Sequence, residues 1–134
     1  MNIDNIRKLI EKHVHDNWTK TSVAWFNVPF RAEDEASFIE VHILPGEGQE
    51  ISLGPKTLNR WSGIAQINVN IPRGQGTRMA YEYAGELIDL FFGFDLQGLT
   101  CRTGYISNLG NQGNYFVLAV TIPFIYDEFL EVKK

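Results

Sequence analysis

Residues able to do chemistry are few in this 134-residue chain, and they are widely spaced. The histidines are His13, His15 and His42, and Cys101 is the single cysteine. His13 and His15 stand two apart in a stretch of helical periodicity, so they point in different directions and make no metal pair. His42 and Glu40 share a strand face, which is compatible with two metal ligands. No third ligand stands nearby, and a solvated strand face is the simpler reading. Cys101 could act as a nucleophile only with a histidine brought from far along the chain; a buried thiol is expected.

Glu82, Glu86 and Asp89 recur at four- and three-residue steps on a helix, and paired carboxylates can do acid–base or metal work. Their place opposite an apolar stripe makes a solvated helix face the default, with ion pairs between subunits as the alternative. The run Arg73-Gly74-Gln75-Gly76-Thr77 follows a strand and opens a helix, as phosphate-binding loops do. Met79 stands where a dinucleotide fingerprint needs a third small residue, and no Gly-Lys-Ser/Thr is present, so a tight turn with a helix cap is expected. Serine-hydrolase and zinc-protease motifs are missing. The expectation is a protein that is not an enzyme and has no catalytic, cofactor or metal residues.

The elements that would carry these residues follow from periodicity. Ile3, Ile6, Leu9, Ile10 and Val14 form the stripe of an amphipathic helix over 3–15, stopped near Asn17. Val23–Phe30 is a short apolar segment that Pro29 places at a sheet edge or entering a loop. Glu33–Ala36 reads as a polar loop. Phe38–Leu44 is a strand with Ile39, Val41 and Ile43 on one face, and Pro45-Gly46-Glu47-Gly48 should end it. Gln49–Leu58 contains Ile51 and Leu53 among Gly and Pro and could form a projecting β-arm.

Arg60–Ile71 alternates most clearly, with Trp61, Ala65, Ile67, Val69 and Ile71 opposite Ser62, Gln66, Asn68 and Asn70. A second helix, capped by Thr77 and stopped by Gly93, carries Ala80, Ala84, Leu87, Ile88, Phe91 and Phe92, with Gly85 allowing a close approach to the sheet. Leu99–Ser107 and Tyr115–Tyr126 are the last strands, joined by an Asn/Gly-rich loop from Asn108 to Asn114. The order α-β-β-β-α-β-β predicts one α+β domain over residues 1–134: a mostly antiparallel, mixed sheet with two helices on one face. In the last strand Phe116, Leu118, Val120, Ile122 and Phe124 line one face, yet Val117, Ala119 and Ile125 occupy the other. Either the chain's own loops or a neighbouring subunit would cover that second face.

Composition narrows the function classes. With 44% hydrophobic and 21% charged residues, the chain has an ordinary globular balance. Its formal net charge of −4 argues against specific nucleic-acid binding, which needs a basic excess. Acidic groups cluster at Glu33-Asp34-Glu35, while Lys133 and Lys134 are the last residues. The polar N-terminus does not read as a signal peptide, and no apolar run reaches the roughly 20 residues that span a bilayer. No disulfide within the chain is possible, and a soluble protein of a reducing cytoplasm is expected.

Several segments taken in order resemble the tail-terminator proteins of tailed bacteriophages. They are Val23-Ala24-Trp25-Phe26-Asn27-Val28-Pro29-Phe30, Phe38-Ile39-Glu40-Val41 running into Leu44-Pro45-Gly46-Glu47, Ser52-Leu53-Gly54, Arg60-Trp61-Ser62-Gly63 and Gln66-Ile67-Asn68-Val69. Pro72, Gly74 and Gly76-Thr77 before the helix complete the set, over residues 3 to about 126. The resemblance implies a non-catalytic subunit of a closed homo-oligomeric ring, a hexamer, that caps the tail-tube protein and offers a docking face to the head or neck connector. It would assemble in the host cytoplasm and end in the virion. The arm, with Glu50, Ile51, Leu53 and Lys56, and the turn at Arg73 are the candidate ring or tube contacts, joined by Arg60 and Arg78. Their charges would orient an interface more than hold it. Another neck or head–tail connector protein is the nearest alternative. A monomeric small-molecule-binding α+β domain, with a pocket lined by Trp18, Trp25 or Trp61, is the alternative from a different class.

Overall fold

The computed structural model describes residues 3–31 and 36–131. The acidic run Glu33-Asp34-Glu35, the start of the Glu33–Ala36 loop and the terminal lysines lie outside the described residues. In chain order the elements are α1 (Ile3–Asn17), β1 (Ser22–Trp25), β2 (Phe38–Glu50), β3 (Lys56–Pro72), α2 (Arg78–Phe91), β4 (Asp95–Leu96), β5 (Leu99–Cys101), β6 (Tyr105–Gln112) and β7 (Tyr115–Glu131). The sheet runs β1-β2-β3-β7-β5-β4, with β6 also on β7. Only β1–β2 is parallel, and β1 lies at the edge. The structure is the expected α+β arrangement. The short β4 is additional, and the Leu99–Ser107 segment is divided into β5 and the start of β6.

Register explains why one face becomes the core. Ile39 stands opposite Val69, and Val69 opposite Leu118; Val41, Ile67 and Val120 repeat the row one pleat along. These rows meet Ile6, Ile10 and Val14 of α1 and Ala80, Ala84, Leu87 and Phe91 of α2 in one cluster. α2 lies over β7 and β3, and α1 over β2. Helix period and strand period thus converge on the same layer. Cys101 lies in that layer, and burial pushes its thiol up to about 12, so it stays protonated and unreactive.

The second face of β7 is covered too: Val117, Ala119 and Thr121 are buried. Their neighbours are Asn70, Asn68 and Gln66 across β3, and Gly110, Ser107 and Tyr105 across β6. The chain's own flanking strands therefore supply the cover at these positions.

Several boundaries differ from the sequence expectation, for local reasons. β2 does not end at Pro45–Gly48 but crosses it as a bulge, with Pro45 opposite Gly63 and Gly48 opposite Trp61. A Cβ on Gly46 would strike the Ser62 carbonyl, and one on Gly48 the Trp61 indole, so both glycines are needed for this close approach. The break between β5 and β6 faces Pro123, whose carbonyl accepts from Arg102 N–H at 2.8 Å. A proline has no N–H to return on that side, so the ladder lapses, and one extra residue is accommodated before Tyr105.

β6 then runs through the Asn/Gly stretch. Asn108 Oδ1 accepts from Gly110 N–H at 2.8 Å in a second bulge, and only Gly113-Asn114 turns the hairpin. Thr77 occupies the N-cap position of α2 but makes no side-chain cap. Phe92 is 73% exposed rather than part of the stripe, and Gly85 faces open space rather than the sheet.

Candidate functional site

The groups with chemical potential are each engaged locally. The ring of His13 stacks on Phe94 at 4.1 Å, and its Nε2 lies 2.7 Å from the Leu90 carbonyl, tying α1 to the end of α2. His15 lies beside Asp16 on the exposed side. Glu40 Oε1 accepts from Asn70 Nδ2 at 3.0 Å, while its other oxygen is 4.0 Å from His42, whose ring meets Phe26 edge-on. Glu82 pairs with Arg78, and Glu86 lies 4.0 Å from Lys20. Among the described residues no group of three or more His, Cys, Asp or Glu could hold a metal ion. Among them, too, no helix is long and apolar enough to cross a membrane. Gly74 and Gly76 take positive φ in the turn before α2, as a tight reversal requires.

Tryptophans border two open grooves of about 440 Å³ each. Trp18 lies with His13, Lys20 and Glu86, and Trp25 with Phe38, Glu40 and His42. Trp61 packs over Gly48 at the base of the arm.

What the fold builds most distinctly is the arm. β3 and β7 pair without interruption from Pro72↔Tyr115 to Lys56↔Glu131, and β2 joins them as far as Glu50↔Asn59. The apolar core ends at Tyr126, and the strands project beyond it as a three-stranded ribbon in which Thr57 is still buried. Its tip, 51–55, is held by Ile51 N–H to Leu58 O at 2.8 Å, Leu58 N–H to Ser52 Oγ at 3.0 Å and Thr57 Oγ1 to Gly54 O at 3.0 Å. The tip is thus ordered, yet it is apolar and bare: Leu53 is 88% exposed and Ile51 47%, with Phe129 and Leu130 exposed on the adjoining strand. Bare apolar clusters on a rigid projection mark interaction sites.

Glu50, Ile51, Leu53 and Lys56 are therefore brought together at the tip. Arg60 is placed at the base, where its guanidinium makes a two-pronged pair with Asp127 at 2.8 and 2.9 Å across β3 and β7. Arg73 and Arg78 lie at the far end of β3, roughly 50 Å from the tip at ~3.3 Å per strand residue. There Arg73 N–H bonds Asn114 O, and Arg78 is taken by Glu82. The candidates thus form two surfaces at opposite ends of the longest ladder. Sequence reasoning missed Phe129, Leu130 and Asp127 because it ended the last strand at Tyr126. No length mismatch betrayed the omission, because the partner strand was also begun late, at Arg60 rather than Lys56.

The Arg60 hydrogen bonds hold the Asp127 carboxyl below its ordinary value of 3.8. A lowered carboxylate stabilises the fold above its unfolded pKa, and that contribution is lost as pH falls through the lowered one. Asp127→Asn should therefore lower the melting temperature at pH 7, and the two proteins should converge near pH 2 in an acid series of thermal melts. An equal gap at both pH values would show that the pair does not stiffen the arm.

A family model described as phage tail terminator protein matches residues 5–124. Eight chains of solved structures match as well. One of them is 26% identical and covers 100% of this chain and 99% of its own, with a TM-score of 0.61. No curated protein matches.

Proposed function

The chain belongs to the phage tail terminator family, a structural family of virion proteins, and from that premise we propose that it closes into a homo-oligomeric ring, a hexamer, that caps the tail tube. The ring presents one face to the tail-tube protein and the other to the head or its connector. Subunits assemble in the host cytoplasm and stay in the virion at the head–tail junction. The protein works by contact and not by catalysis.

The observation that supports this reading is the bare, ordered arm tip at one end of β3 and a second candidate surface at the other end. Two different surfaces on one molecule suit head-to-tail contacts, which close into a ring when the rotation between copies allows. Arm and turn, with Glu50, Ile51, Leu53, Lys56, Arg60, Arg73 and Arg78, are the residues proposed to meet neighbours or the tube.

Deletion of the gene from the phage tests the reading. Electron microscopy of the lysate should show overlong or unfinished tails joined to no heads. Normal tails beside defective capsids would instead identify a connector.

A further inference from the structure

Between α1 and β2 lies a groove of about 210 Å³, floored by the apolar Ile3, Phe26, Val41 and Ile43 and rimmed by Asp4, Arg7 and Glu11. An enclosed cavity of about 150 Å³ lined by Leu, Ile and Phe accepts benzene, so the apolar floor of this groove has room for a leucine side chain. We propose that its occupant is the arm tip of a second copy of this chain, Leu53 foremost. The pairing rests on the ring reading above and specifies which surfaces mate.

The plug and the groove match in chemistry. Ile51–Pro55 carries no charge, and neither does the groove floor. Glu50 and Lys56 flank the tip with one charge of each sign, facing a rim that offers Arg7 to the first and Asp4 and Glu11 to the second. The rim pairs are exposed and weakly held: Arg7 lies 3.3 Å from Glu11 and 2.8 Å from Asp4. They can exchange partners when the arm arrives.

The tip cannot come from the same molecule. β2 leaves Ile43 and stays paired to β3 out to Glu50, which carries the tip away by roughly 20 Å at ~3.3 Å per residue. A continuous ladder does not fold back on itself. The contact therefore joins two copies head to tail and leaves the pair with one free tip on one copy and one free groove on the other until the ring closes.

Cysteine pairing reads the contact directly, because the native Cys101 is buried. Full-length Leu53→Cys and Phe26→Cys proteins are prepared separately, mixed under mild oxidation and run on a non-reducing gel. A disulfide needs Cβ atoms about 3.5–4.5 Å apart, so it reports close approach. The mixture should give a cross-linked dimer several-fold above either protein alone and above a control pair of Leu53→Cys with Ser107→Cys on β6. Leu53→Cys with Ile3→Cys should read the same contact from α1, without altering Phe26.

Light scattering on the same samples separates the failures. Rings with no mixed disulfide above control would overturn the groove as the docking site while leaving the ring intact. Tip-to-tip disulfides as the main product would overturn it as well. Monomers at every concentration would remove the ring reading and this pairing together.

Discussion

Leu53→Asp should leave the chain folded and abolish its assembly. Leu53 is 88% exposed, so the isolated chain loses almost no packing, and surface changes of this kind shift stability within about ±0.5 kcal/mol. The consequence falls on the interface, where a carboxylate would have to enter an apolar groove floor below the rim carboxylates Asp4 and Glu11, with Arg7 already paired to both. Burying an unpaired charge costs several kcal/mol, and a ring repeats that cost at every contact. Circular dichroism and the melting curve should match those of the unaltered protein, while light scattering should show a monomer. Rings of normal mass from Leu53→Asp would show that the arm tip is not the joint.

Phe91→Ala should be the most damaging single truncation of the pair formed by Phe91 and its neighbour Phe92. Phe91 is fully buried at the end of α2, 5.2 Å from the His13 ring and 6.2 Å from Phe94. Deleting such a ring removes transfer energy and leaves a cavity, together about 3–5 kcal/mol, out of the roughly 5–15 kcal/mol that holds a typical domain. Phe92→Ala, one residue on and 73% exposed, should be close to neutral. Urea unfolding followed by fluorescence tests the contrast through the midpoint at unchanged slope. Equal losses at the two positions would mean that α2 does not pack as described.

That pair also shows where sequence reading succeeds and where it stops. The stripe of α1 and the alternation of Trp61 to Ile71 were legible because burial on one face repeats at the period of the element itself. Phe92 fits the apolar stripe of α2 equally well on paper. It falls outside because the helix ends before it, and Gly93, at φ 72, carries the chain away. The same limit applies to Pro45–Gly48 and Asn108–Gly110. Both are turn formers by composition, yet both become bulges because a partner strand far along the chain already fixes the ladder.

The arm was half legible for the same reason. Its tip announces itself by Gly and Pro around Ile51 and Leu53, all within ten residues. Its third strand, and the Asp127 that binds Arg60, come from 67 residues away. The groove could not be read at all, since Ile3, Phe26 and Ile43 belong to three separate segments that only the fold brings together.

By the function proposed above, this chain works as a closed ring of identical subunits. Its most direct test is the mass of the purified protein by light scattering across a dilution series, checked by negative-stain images. One species at six-fold the 15.3-kDa chain mass, with a central hole, is expected. A monomer that persists at the highest concentration, with tail tubes added, would contradict it.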